Sequence, residues 1–214
     1  PQDDYTKSVR SDLGLGPGQF LILQPTRIIQ RKGIEHAIEL TRRLNLPAEL
    51  VISHAAGDEG TAYEKRIHEF ASLLGVTVNF VSDIISNQRG FTTDGRKIYT
   101  LEDIYPFADL VTYPSAIEGF GNAFLEAIYY KRPLVVNNYS IYETDIKPKG
   151  FQVIEFDSFI SEETLDQVRK LLLHPEEAQQ RSEFNYQLAQ RYYSFTMLEN
   201  RLRLLLSGCY GERL

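Results

Sequence analysis

Asp109-Leu110-Val111-Thr112-Tyr113, followed by Glu118-Gly119-Phe120-Gly121-Asn122-Ala123-Phe124-Leu125-Glu126, is the stretch whose reading decides the fold. The first five residues form a short apolar run that predicts a buried strand, and Ala123 to Ile128 predicts a helix. Gly119 and Gly121 remove the side chains from the junction between them. A helix that opens on such a turn presents unpaired backbone N–H groups and a partial positive charge, so phosphate oxygens are stabilised there without any side chain. The two glutamates need a separate explanation, because a carboxylate beside a phosphate repels it unless it is occupied. Sugar hydroxyls would occupy it. An ionised carboxylate only accepts, and it can take two hydrogen bonds from a vicinal diol such as ribose O2 and O3 or neighbouring hexose hydroxyls. In an acidic chain the spacing of the pair is weak by itself. The Gly-Phe-Gly between them, at a strand-to-helix junction, is the specific part. Read singly, Glu118 is a solvent-facing loop carboxylate and Glu126 a helix-surface one near a favourable N-terminus. Neither reading accounts for the pair.

Upstream, Phe20-Leu21-Ile22-Leu23-Gln24 predicts another short strand, then Pro25 to Gly33 a loop, then a helix with apolar residues at Ile34, Ala37, Ile38 and Leu44. Arg27 and Lys32 therefore fall in a strand-to-helix loop. In an open α/β sheet, ligands bind beyond the carboxyl ends of the strands, where these cations and the glycine turn converge. Breaking a sugar–phosphate bond builds negative charge on the departing diphosphate, which fixed cations stabilise more in the transition state than in the ground state. Taken alone, the two are ordinary solvated loop charges. Beside the glycine turn the functional reading is preferred. Arg31 reads as a surface neighbour, and Phe120, Phe124 and Tyr129 as packing residues, with Phe120 able to border a sugar.

The rest of the chain alternates strand and helix. Leu50 to Ser53, Val76 to Val81, Leu134 to Val136 and Phe151 to Ile154 predict further strands, and Tyr63, Ile67, Phe70, Ala71 and Leu74 mark one face of a helix. The expected fold is α/β: a Rossmann-like, open, mainly parallel six-stranded sheet with helices on both faces, and a helical tail from Ser161 that breaks near Tyr193-Ser194-Phe195. The 214 residues, 43% hydrophobic, suffice for one such domain. A net charge of −6 and a pI near 5.3 argue against nucleic acid as a partner. The single Cys209 makes no internal disulfide, and no apolar stretch reads as a leader or a membrane span, so a cytoplasmic location is expected. His36, His54, His68 and His174 are scattered without carboxylates at metal-ligand spacing. His54 ends a strand on the ligand side, where a hydrogen-bonded loop role is favoured over ligand contact.

Glu118 and Glu126 with seven residues between them, the glycine turn, Arg27, and Lys32 before Gly33 resemble the C-terminal domain of the retaining glycosyltransferases of the GT-B fold, family 4, over most of the chain. That resemblance implies a sugar-nucleotide donor, UDP-, GDP- or ADP-hexose, and no obligatory metal or other cofactor. It implies that Arg27 and Lys32 meet the leaving diphosphate and that Glu118 contacts the transferred sugar. By the same resemblance the amides of Gly119, Phe120, Gly121, Asn122 and Ala123 contact sugar and diphosphate, Glu126 takes the ribose hydroxyls, and Asp83 and Ile84 pass the nucleobase. The incoming hydroxyl would attack on the face of the leaving phosphate. One half of a GT-B fold is thus expected: residues 1–18, with Gly14, Gly16, Pro17 and Gly18, as a linker or the start of the domain, and 19–214 as the donor-binding Rossmann-like domain. Acceptor recognition would belong mainly to an absent N-terminal domain. Without it the chain would bind donor but transfer little sugar. The alternative is a non-catalytic nucleotide-sugar-binding module. Two segments depart from the family pattern: Ser82 to Thr100, longer than usual and read as a loop or hairpin, and Tyr139 to Glu143, where glycines are commoner.

Overall fold

The computed structural model describes residues 2–57 and 61–210. Pro1, Asp58 and Leu214, which the expected linker, the segment after His54 and the domain end include, lie outside the described residues. In chain order the elements are α1 (Val9–Asp12), β1 (Phe20–Gln24), α2 (Ile34–Leu44), β2 (Ala48–Ile52), α3 (Ala62–Leu74), β3 (Val78–Phe80), β4 (Gly90–Phe91), β5 (Lys97–Ile98), α4 (Leu101–Ile104) and β6 (Leu110–Tyr113). There follow α5 (Asn122–Tyr129), β7 (Leu134–Asn137), β8 (Ile154–Phe156), α6 (Glu162–Leu173), α7 (Pro175–Tyr193) and α8 (Phe195–Tyr210). Six strands form one sheet in the order β3-β2-β1-β6-β7-β8, with every neighbouring pair parallel. The chain runs outward from β1 to β3 and returns to the other side of β1 as β6. The strand order therefore reverses between β1 and β6, and the crevice beyond their carboxyl ends is where such sheets take ligands.

The sheet is buried on both faces, which is why its strands read as continuous apolar runs. Side chains alternate across it. Leu21, Leu23, Val51, Val111 and Val136 pack with α1, α5 and the end of α7, while Ile22, Leu50, Ile52, Leu110 and Val135 pack with α2, α3 and α6. α2 buries Ile34, Ala37, Ile38, Thr41 and Leu44, one helical stripe.

Residues 2–18 pack as the start of the domain: Val9 and Leu13 are 0% and 1% exposed, and Leu15 is buried beside them. The Tyr5 hydroxyl lies 2.6 Å from the Gly90 carbonyl oxygen and 2.8 Å from that of Ile98, and Arg10 donates to the Phe107 carbonyl at 2.9 Å. The glycines suggested a tether, but the apolar residues at Val9, Leu13 and Leu15 dominate. The last strand begins where it was expected to end, because the Gln152 backbone is bonded by the Asn185 side chain of α7 (2.7 and 3.0 Å) instead of by β7. Phe151 turns into the core, its ring edge-on to Phe124 at 5.3 Å. The third strand is confined to Val78–Phe80.

The extension between Ser82 and Thr100 contains the β4–β5 hairpin, turned at Gly95 (φ +84°). Arg89 fastens it, with Nε 3.0 Å from both oxygens of buried Asp103 and Nη1 2.7 Å from Asp3. The tail breaks at Ser194, as its sequence predicts. Among the described residues no helix is long and apolar enough to cross a membrane.

Candidate functional site

The β1–α2 and β6–α5 loops meet above the switch point. Their contact is close enough that a Cβ on Gly33 (φ +61°) would collide with the Pro114 carbonyl oxygen. Gly121 precedes α5 at φ +105°, and a Cβ there would lie 2.7 Å from the Tyr113 hydroxyl and 2.8 Å from that of Tyr139. Tyr139 also donates to the Phe120 carbonyl at 2.7 Å, so the turn is braced from beneath. Phe124 is fully buried and anchors the first turn of α5. The opening N–H groups of a helix have no acceptor within it. Asn122 and Ala123, at that end of α5, both line the cavity above.

That cavity, about 490 Å³, has Arg27, Arg31 and Lys32 on one wall and Glu118, Phe120 and Gly121 on the other. A larger one of about 820 Å³ adjoins it, and His54, Leu101 and Glu126 border both. Tyr105, Tyr129 and Tyr130 give the larger space an aromatic lining, and Ser82, Ile85, Ser86 and Asn87 line it as well.

Lys32 and Arg31 both pair with Glu118, Arg31 at 3.2 Å, and the Glu118 side chain is only 9% exposed. Burial by itself would raise the Glu118 carboxyl, but the Lys32 hydrogen bond, then the Ser115 hydroxyl, then the charges of Lys32 and Arg31 outweigh it and hold the group below its ordinary 4.5. Arg27 is exposed to the cavity and has no ion pair among the described residues. Glu126 accepts from the Tyr105 hydroxyl at 2.9 Å and keeps further lone pairs for a diol. Burial, then Glu126, raises the Tyr105 phenol, which stays neutral and remains a donor. His54 borders both cavities with Nδ1 2.7 Å from the Ser53 hydroxyl. Burial lowers it from 6.5, the charge of Glu126 opposes this, and Arg27 and Lys32 add to the lowering, so it is neutral at pH 7.

Arg27, Lys32, Glu118, Phe120, Gly121, Asn122, Ala123 and Glu126 thus share one cavity. Gly119 is exposed and stands off its wall. Asp83 and Ile84 turn away from both cavities: Asp83 pairs with Arg96 at 2.6 Å, and Ile84 is buried in the core. The short turn Ser82–Ile84 rotates them out, leaving Ser82 and Ile85 on the wall. One further expectation is revised. Arg31 is a second partner of Glu118, because Gln30–Lys32 is a tight turn that carries both basic residues toward the same carboxylate. Tyr129 packs edge-on against the Tyr130 ring at 4.9 Å, as expected, but is 63% exposed and also lines the larger cavity. Its position three residues after Glu126, hence on the same helix face, is a signal the sequence carried.

The family model described as "Glycosyl transferases group 1" matches residues 6–188, a span that contains all of these groups. Mannosylglucosylglycerate synthase of Thermotoga maritima is 28% identical over 223 residues, covering 91% of this chain and 50% of the relative. The synthase of the same name from Petrotoga mobilis is 32% identical over 174 residues, covering 73% of this chain and 40% of the relative. The chain therefore spans half or less of the length of these relatives. Among solved structures, Anabaena HepE in complex with UDP-glucose superposes with a TM-score of 0.76 at 16% identity, over 97% of this chain and 54% of that one. The C-terminal domain of the group 1 protein LpcC from Francisella tularensis superposes with a TM-score of 0.66 at 19% identity, over 91% of this chain and 95% of that one. Those structural likenesses speak for the fold, and the family match for the lineage: the chain belongs to the group 1 glycosyltransferases and has the fold of the C-terminal domain of their GT-B architecture.

Proposed function

We propose that this domain binds a nucleoside-diphosphate hexose and, in the complete enzyme, delivers the hexose to an acceptor hydroxyl with retention at the anomeric carbon. The observation that carries the reading is the position of Glu126, at the junction of two adjoining cavities, with Glu118 and three cations around the smaller one. A ribose held by Glu126 sends the base into the larger, tyrosine-lined cavity. It sends the diphosphate toward the N-terminus of α5, between the helix amides and the pair Arg27 and Lys32. The hexose then falls beside Glu118. The acceptor hydroxyl attacks C1 on the face of the departing diphosphate; the C1–O bond to phosphate breaks, the new glycosidic bond forms, and the hydroxyl proton passes to a phosphate oxygen. Arg27 and Lys32 compensate the charge that grows on the diphosphate.

HepE was solved with UDP-glucose and the curated relatives make a mannosyl-containing glycoside, which favours a hexose donor and a small hydroxylated acceptor. The binding-module alternative needs the helix amides and Glu126 but no cations, and the presence of both Arg27 and Lys32 in the cavity favours the enzyme. Acceptor recognition is assigned to the half that the relatives' length adds. The single cysteine suits a cytoplasmic enzyme.

Calorimetric titration with UDP, GDP and ADP tests the reading. One of them should bind with EDTA present, and Glu126→Ala should weaken that binding about 10- to 100-fold, the worth of a hydrogen bond to a charged group. Wild-type affinity in Glu126→Ala would remove the ribose assignment.

A further inference from the structure

Arg31 is a cavity cation to which the donor reading gives no task. Glu118 is gripped from both sides, Lys32 at Oε1 and Arg31 Nη1 3.2 Å from Oε2. The carboxylate is nearly enclosed, with side-chain exposures of 9% for Glu118, 12% for Lys32 and 40% for Arg31. Lys32 is also wanted by an arriving diphosphate. Once it turns, a carboxylate this buried would face the full cost of desolvation and take up a proton unless another cation stayed. Arg31 is built to stay. Its carbonyl accepts from the Ala116 N–H at 2.9 Å, and Nη1 reaches the Ile117 carbonyl at 3.2 Å as well as Glu118, so it is strapped to the segment that carries the glutamate.

Resting on the donor reading above, we infer that Arg31 is a positioning residue: it remains on Glu118 when Lys32 moves to the diphosphate, and keeps that carboxylate charged and aimed at the transferred sugar. The other groups beside Glu118 are uncharged: the Ser115 hydroxyl also favours the carboxylate, but as a neutral donor. The Tyr113 and Tyr139 phenols are neutral, raised by burial first and by Glu118 after it. Arg27, His54 and Glu126 border the same cavity, and of these His54 is the group whose ordinary titration range lies near neutrality. Titration of His54 and of the ligand phosphate is common to variant and wild type, so the affinity ratio of a hexose conjugate to its own diphosphate is compared between variant and wild type at the same pH.

The test is calorimetry on this chain from pH 5 to pH 8 with UDP, GDP, UDP-glucose and GDP-mannose, reading the ratio of conjugate to diphosphate affinity. The wild-type ratio at each pH is the reference, because the terminal phosphate of the bare diphosphate titrates at about pH 6 and the conjugate has no such group. In Arg31→Gln the increment relative to the wild type should fall about tenfold at the acid end and recover toward pH 8, one decade per unit of carboxyl shift. Arg31→Lys should restore the wild-type profile. A pH-independent loss that lysine does not rescue would make Arg31 a mere staple of the loop and overturn the inference, as would an unchanged increment. A wild type that binds no nucleotide, or gains nothing from the sugar, overturns the donor reading and the inference with it. Should Arg31→Gln fail to fold, the carboxyl ¹³C signal of Glu118 in Lys32→Met decides: charged at pH 7 on Arg31 alone supports the inference, protonated contradicts it.

Discussion

Gly121 shows how far a single residue can be forced by its surroundings. Its φ of +105° lies where L side chains are strained, and two tyrosine hydroxyls occupy the space a Cβ would need. Gly121→Ala should therefore cost about 1–3 kcal/mol in denaturant unfolding and weaken nucleotide binding as the turn shifts. A variant with unchanged stability and affinity would show that the turn has room. Gly119 looks equivalent in the sequence, yet a Cβ there meets nothing within 4 Å. Gly119→Ala should be tolerated, and comparable melting curves for it and the wild type are the expected result. The Gly-Phe-Gly run was legible as a turn, but which glycine is irreplaceable depends on Tyr113 and Tyr139, far apart in sequence and brought together by β6 and the segment after β7. Arg31 was illegible for a similar reason. Its role follows from the path of residues 116–118 and not from its neighbours in the chain.

At the scale of elements, the strands were legible wherever an apolar run also joined the ladder. Phe151 to Val153 is the counter-example, apolar because it packs and not because it pairs; the Asn185 side chain that takes its backbone bonds lies on a helix no local window contains. The β4–β5 hairpin was legible as a loop or hairpin from its polarity and two glycines, but not its anchorage. Arg89 and the buried Asp103 form that anchor. Burial would raise the Asp103 carboxyl, yet the Arg89 hydrogen bonds and the Thr100 backbone hold it below its ordinary 3.8. A depressed folded value means that the unfolded chain takes up the proton first as pH falls. The stabilisation is complete above about pH 4 and is lost as pH drops through the folded value. Asp103→Asn should thus unfold more readily at pH 7 and show a flatter loss of stability below pH 4, measured by denaturant unfolding at a series of pH values. Parallel profiles for variant and wild type would place the anchor elsewhere.

For the whole molecule, the reversal of strand order between β1 and β6 joins the cations of one loop to the glutamates of another, and a crevice there is a consequence of the topology. The ribose and phosphate ends of the site were legible because strand-to-helix junctions carry them. The base end was not, because Ser86, Asn87, Tyr105 and Tyr129 converge from separate elements. This domain alone should bind donor yet transfer little sugar, and rapid product formation by the isolated chain would show that it needs no second domain. The most direct measurement of the central claim is a crystal structure of the chain soaked with UDP or GDP. The diphosphate should lie over Asn122 and Ala123 beside Arg27 and Lys32, with the ribose hydroxyls on Glu126. Nucleotide bound away from Glu126, with the cavity at the start of α5 left unfilled by phosphate, would contradict the claim.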